Sequence, residues 1–232
     1  MTIVTTDAAL RDRALALALT ASCLGRRVEP LLDDDHLASL IDTVSRVDAS
    51  RFRDALAALD HWRASARTDA ATLTGRWVRW FDLGRLPPYE GSNVVLSAGG
   101  VTPRLAEVAG YYLAFGMHVH QNRPDHIVAE LEFLAFTTML EADARAVSDE
   151  SRAGIAADAA RSFVRDHIGT WIRAWSERVA AETELAPWHP VASLAAYLFD
   201  DEARVLNVVP LLTASPTSVP DDDIELDCGL DS

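Results

Sequence analysis

Lysine is missing altogether. All 21 basic residues are arginine, set against 35 acidic residues, so the formal net charge is −14 with the 7 histidines neutral. That balance argues against a general nucleic-acid binder, because affinity for phosphate needs clustered positive charge. The lack of lysine itself is a compositional bias and carries no functional weight. Cysteine is nearly missing. Cys23 and Cys228 cannot build a disulfide framework and have no CxxC spacing, so a reducing, cytoplasmic compartment is expected. No apolar run approaches the ~20 residues that span a bilayer. There is no Gly-rich phosphate loop, no internal repeat and no GxSxG elbow. What is present is apolar: 49% of the chain, too much for a disordered polypeptide and enough for 232 residues to bury a substantial core.

Residues 14–24 look like a secretory h-region ending near a lipobox. Asp7, Arg11, Asp12 and Arg13 precede it, however, and Thr20 stands where a lipobox wants leucine. Leu10, Ala14, Leu17, Ala21 and Leu24 make one apolar stripe, so the segment reads as the first helix rather than a leader. Arg26-Arg27 follows this segment and is not an export signal. Helical spacing continues over 34–47, 50–66 and 69–82. Thr102-Pro103 predicts a helix start capped by the threonine hydroxyl. Residues 125–147 are apolar around most of their circumference and predict a central helix, with Asp125 as its cap. Ile155, Ala159 and Phe163 suggest the buried face of a helix over 149–166. Helices over 168–183 and 188–205 complete about ten, counting short ones. Strand alternation is confined to short stretches such as Asn93–Ser97. The tripeptide Asp-His-Ile occurs at 125–127 and again at 166–168; the flanks differ, and the repeat reads as coincidence.

Two regions are punctuated by Gly and Pro or by charge. Residues 83–101 form a long loop, and long ordered loops are often functional. The segment from Ser215 holds six acidic and no basic residues over 221–232, and is expected to be disordered. A single all-helical domain over 1–214 with an acidic tail over 215–232 is the expectation.

Three constellations could carry chemistry. His118, His120, His126 and Glu130 offer metal-ligand types in a short stretch. His118 and His120 would point about 200° apart on a helix, which is poor convergence. Cys23 lies in an Ala-rich helix, where a buried and inert thiol is the usual outcome. Glu130 and Glu132 are two apart and face differently, so they do not form an acid–base pair. Last, Trp77, Trp80 and Phe81 precede Pro87, Pro88, Tyr89, Glu90 and Ser92. Read from the residues alone, this is equally a helix end packed on the core or an apolar groove wall with an acidic rim.

Three segments carry a resemblance to a known family. Residues 77–92 (WVRWFDLGRLPPYEGS), 111–136 (YYLAFGMHVHQNRPDHIVAELEFLAF) and 163–175 (FVRDHIGTWIRAW) resemble the redox-enzyme maturation chaperones, the family of TorD, DmsD and NarJ. The Tyr-Glu-Gly-Ser loop is similar to the subgroup serving enzymes of the ethylbenzene, dimethylsulfide and selenate type. The resemblance implies an all-helical, non-enzymatic cytoplasmic chaperone with no stably bound cofactor. Its partner would be the catalytic subunit of a molybdenum enzyme, held through its twin-arginine signal peptide or a body segment until the molybdenum cofactor is inserted. Its own state would be a monomer or a domain-swapped dimer. The matching positions imply a client-binding groove with Trp77, Trp80, Phe81, Pro87, Pro88, Tyr89, Glu90 and Ser92 on one wall and Asp125 and His126 on the other. Tyr112, Phe115 and Gly116 would support the second wall, Gly116 by allowing close approach. The alternatives are a metal-dependent enzyme using His118, His120, His126 and Glu130, or a helical adaptor with no part in cofactor insertion.

Overall fold

The computed structural model describes residues 6–65, 69–96, 99–119 and 123–211. His120, Cys228 and the acidic segment after residue 214 lie outside them. Among the described residues the fold is all-α, with no strand and one isolated antiparallel bridge.

Helix α1 (Asp7–Cys23) starts at Thr6, whose hydroxyl accepts the Ala9 N–H at 3.2 Å. Its expected stripe is buried, and so are Ala16 and Arg13. The small side chains of Ala14, Ala16 and Ala21 let α1 lie close along α6 (Ile127–Ala146), its main partner. Helix α6 buries residues around much of its circumference, including Leu131, Phe133 and Leu134, which makes it the central helix. Each such side chain contributes about 1.5–3 kcal/mol by leaving water. Helices α2 (Asp34–Asp48) and α3 (Arg53–Ser65) follow on from α1. The other side of the bundle holds α7 (Glu150–Asp166), against α6, then α8 (Ile172–Ala181) and α9 (His189–Val205), which pack together. Helix α9 also meets α1. There Arg13 reaches Asp201 and, at 2.8 Å, Glu202, all three buried.

Helix α4 (Ala70–Trp77) loosens into a π-helical turn, Val78–Asp82. That turn brings Trp77 and Phe81 inward, where their rings meet tilted at 4.4 Å and contact Trp188. A Cβ on Gly84 would lie 2.1 Å from the Arg79 carbonyl, so only glycine can end the turn this way. Helix α5 (Thr102–Ala114) corrects one expectation: it begins without a side-chain cap, and Thr102 is already helical. Gly116 has φ of +71° and open space around it, so it serves a left-handed helix end rather than a close approach. On α7 the buried face is Ala153, Ala156, Ala160 and Phe163, while Ile155 is exposed. The expected 168–183 helix is broken. A 3₁₀ turn, Ile168–Thr170, separates α7 from α8.

Candidate functional site

Pro87 and Pro88 hold the loop after α4 extended, which lets it pair with the residues before α6. Glu90 N–H donates to the Asp125 carbonyl at 2.8 Å, and Ile127 N–H to the Pro88 carbonyl at 2.9 Å. These two bonds flank Tyr89 and His126, whose rings meet edge to face at 5.1 Å. The Asn93 amide then donates to the carbonyls of Pro87 (2.9 Å) and Tyr89 (2.7 Å), closing the loop over itself. Helix α8 grips it from behind: the Trp175 indole donates to the Leu86 carbonyl at 3.2 Å, and Arg178 donates to the Asn93 side chain.

Asp125 does not cap α6, contrary to the sequence expectation. Its buried carboxylate accepts the Gly91 N–H at 3.0 Å and two bonds from Arg123, at 3.0 and 2.7 Å. The guanidinium of Arg123 in turn lies 4.6 Å over the Tyr89 ring. The cap is His126, whose Nδ1 accepts the Val128 N–H at 3.1 Å. Nδ1 must be unprotonated to do so, and burial, assisted by nearby Arg123, pulls this histidine down to about 4.

Beneath the loop lies a buried polar layer. Glu90 is fully enclosed. Its carboxylate accepts Arg104 at 2.5 Å and His167 Nδ1 at 3.2 Å. Arg104 also donates to the Asp166 carbonyl at 2.5 Å, tying α5 to the end of α7. Glu130, also enclosed, accepts the Trp171 indole N–H at 3.1 Å through one oxygen, and the other oxygen has no partner among the described residues. Burial and the neighbouring Glu90 raise its carboxyl well above the ordinary range. Tyr112 donates to the Pro124 carbonyl at 2.7 Å. Burial first, then Glu130, pushes its phenol up as well.

The two copies of Asp-His-Ile therefore meet at Glu90. Its backbone pairs with the first copy and its carboxylate with His167 of the second. Arg104, Asn93 and His167 were not among the expected site residues; His167 lies in the 163–175 segment that carries the family resemblance and in the second Asp-His-Ile copy, which had read as coincidence.

The groove expected from the sequence is only partly a surface. Trp77, Phe81, Pro88, Glu90, Tyr112, Asp125 and His126 are buried, while Trp80, Pro87, Tyr89 and Phe115 are half-buried and Ser92 and Gly116 exposed. The Trp80 indole N–H donates to Glu184 at 3.2 Å. In the metal-site alternative, His118 is exposed, His120 lies outside the described residues, and His126 and Glu130 are engaged as above. Among the described residues no three metal-ligating side chains converge.

This braced loop falls wholly within a recognisable family unit. Residues 45–177, more than half of the chain, match the family described as nitrate reductase delta subunit. The chain belongs to that family, the NarJ/TorD-type chaperones of molybdenum-enzyme maturation. Among proteins of known role, it is 32% identical over 127 residues to the chlorate reductase assembly chaperone protein of Ideonella dechloratans. That match takes in 51% of this chain and 64% of the relative, so the chain spans less than two thirds of the relative's length.

Proposed function

We propose that the protein is a cytoplasmic assembly chaperone, not an enzyme, for the catalytic subunit of a molybdenum-dependent oxidoreductase. It holds the cofactor-free subunit through its N-terminal twin-arginine signal peptide or an adjacent segment until the molybdenum cofactor is inserted. The cofactor belongs to the client, and the chaperone keeps none of its own. The observation that carries this reading is the family match over residues 45–177, which takes in the whole braced loop.

In this reading the exposed and half-buried residues, Trp80, Pro87, Tyr89, Phe115 and Ser92, face the client. An apolar client segment laid on them gains about 25 cal/mol per Å² buried. Asp125, His126 and Glu90 lie inside and act by holding the loop in shape. The charged bond from Gly91 N–H to Asp125 is of a kind worth about 1.5–3 kcal/mol. Asp125→Ala removes it, whereas Asp125→Asn keeps a carbonyl acceptor.

The test is affinity capture of the full chain from its native host. A molybdenum-enzyme catalytic subunit lacking its cofactor is the expected passenger. Recovery should drop with Asp125→Ala and return in large part with Asp125→Asn. An unrelated partner, or no dependence on the variants in a stable fold, would overturn the reading.

A further inference from the structure

Outside the braced loop, a pocket of about 230 Å³ opens where the end of α5 meets α6 and α7, lined by Phe115, Leu140, Arg152, Ile155 and Ala156. It is smaller than the ~300 Å³ at which small-molecule sites begin, and suits one or two aliphatic side chains. Phe115 and Leu140 are half-buried, and Ile155 is 61% exposed. Helix α7 packs on α6 through its alanines and sets this isoleucine beside an open apolar hollow.

Charge marks the same place. Helices α6 and α7 carry four arginines. Arg145 pairs with Glu141, Arg161 with Asp158 and Arg165 with Asp166. Arg152, in the pocket wall, has no ion pair or side-chain hydrogen bond among the described residues. An apolar hollow with an uncompensated guanidinium fits an apolar segment that brings its own carboxylates.

This chain has such a segment. Beyond the described residues, 221–227 read Asp-Asp-Asp-Ile-Glu-Leu-Asp, two aliphatic residues set among five acids. The segment is within reach. Leu211 N–H donates to the Arg165 carbonyl at 2.9 Å and Arg161 donates to the Leu206 carbonyl at 3.1 Å, so the described chain stops alongside the end of α7. Ile155 lies ten residues before Arg165 on that helix, about 15 Å away. Ile224 lies thirteen residues after Leu211, a span of up to about 43 Å, which leaves ample length to turn back. A tether this short holds the segment near millimolar effective concentration, so even a weak contact is populated.

We infer that residues 221–227 seat on this pocket of their own chain, with Ile224 and Leu226 against Phe115, Leu140 and Ile155, and the flanking carboxylates on Arg152. The seat is independent of the chaperone reading. Its consequence rests on that reading: a seated segment covers Phe115, which the reading gives to the client, and so competes with the client.

A nitroxide on Cys228, two residues past Leu226, tests the seat in the full chain, because Cys23 is buried and escapes labelling. Amide signals of residues 152–157 should lose about half of their intensity relative to the reduced label, as for a contact near half occupancy. Ile224→Ser/Leu226→Ser changes nothing in the folded helices and should restore these signals, and Arg152→Gln should restore them in part. Signals that never dim, or dim equally in the double variant, overturn the inference. Spin-labelled protein mixed with isotope-labelled protein carrying no nitroxide identifies the other occupant. Dimming of the same amides there would put a second copy's segment on the pocket and overturn the inference too. Host capture reads the consequence. The double variant should recover about twofold more of the cofactor-free molybdenum subunit than the unmodified protein, since half-occupied competition halves apparent affinity. Equal recovery would refute the competition and leave the seat. Capture of no such subunit by either protein would sink the chaperone reading and again leave the seat.

Discussion

At neutral pH the first turn of α6 is capped by an imidazole, and that cap works only while Nδ1 is bare. Burial pulls His126 from an ordinary 6.5 down to about 4. The folded protein thus refuses a proton that the unfolded chain accepts. The sign follows from linkage: the cap's stability is complete above about 6.5, is lost as the pH falls, and is gone below about 4. At about 1.4 kcal/mol per pH unit, the interval corresponds to about 3 kcal/mol. For a domain of this size that is roughly 6–12 °C in Tm. Carboxylates titrate over part of the same range, so the unmodified protein alone is not diagnostic. His126→Asn supplies the reference. Asparagine caps helices well and does not titrate, and its lost contact with Tyr89 is an offset that pH does not change. Melting both proteins by circular dichroism from pH 7.5 to 4 should show the unmodified protein losing about 3 kcal/mol relative to the variant. Two curves that stay parallel over this range would show that the imidazole does not carry the cap.

Glu130 should behave in the opposite sense. Its raised carboxyl stabilises most below the ordinary glutamate range and loses that contribution as the pH rises. Glu130→Gln keeps an acceptor for the Trp171 indole, so its urea midpoint should gain on the unmodified protein from pH 5 to pH 8; a constant or shrinking difference would refute this. Burial pushes the Cys23 thiol up to about 12. In a Cys228→Ser background, iodoacetamide at pH 8 should therefore label Cys23 only as urea unfolds the protein, and rapid labelling of the native state would contradict that.

Helix positions were largely legible because burial on one face imposes a repeat that the eye can count. Leu10, Ala14, Leu17, Ala21 and Leu24 show it on α1. On α7 the same rule misled, since alanines fill the tight face against α6 and the bulkier Ile155 stands outside. Features set by single backbone geometries left weaker traces. The π-helical turn at Val78–Asp82 has no period of its own, and the 3₁₀ turn at Ile168–Thr170 interrupts a run that otherwise scans as one helix. At the site, Pro88, Tyr89, Asp125 and His126 could be named from the family resemblance, but not their division of labour. An aspartate before a helix usually caps it; here the pull of Gly91 N–H and Arg123 turned it away, and the next residue took the task. Arg104 and His167 are 14 and 77 residues from Glu90, a separation across which one sequence carries no pairing signal.

The buried clasp between Arg13 and Asp201 joins residues 188 positions apart. A ribosome adding roughly 5–20 residues per second needs roughly 10–40 s to deliver the second half of that clasp after the first. Until then α1 carries a guanidinium without its counter-charges and an alanine–leucine face seeking α6. The protein proposed to shield an unfinished enzyme thus passes through its own vulnerable interval on the way out of the ribosome. Replacing Asp201 and Glu202 together by Ala would reproduce that interval in the finished fold, leaving Arg13 a stranded buried charge of the kind that costs about 3–5 kcal/mol.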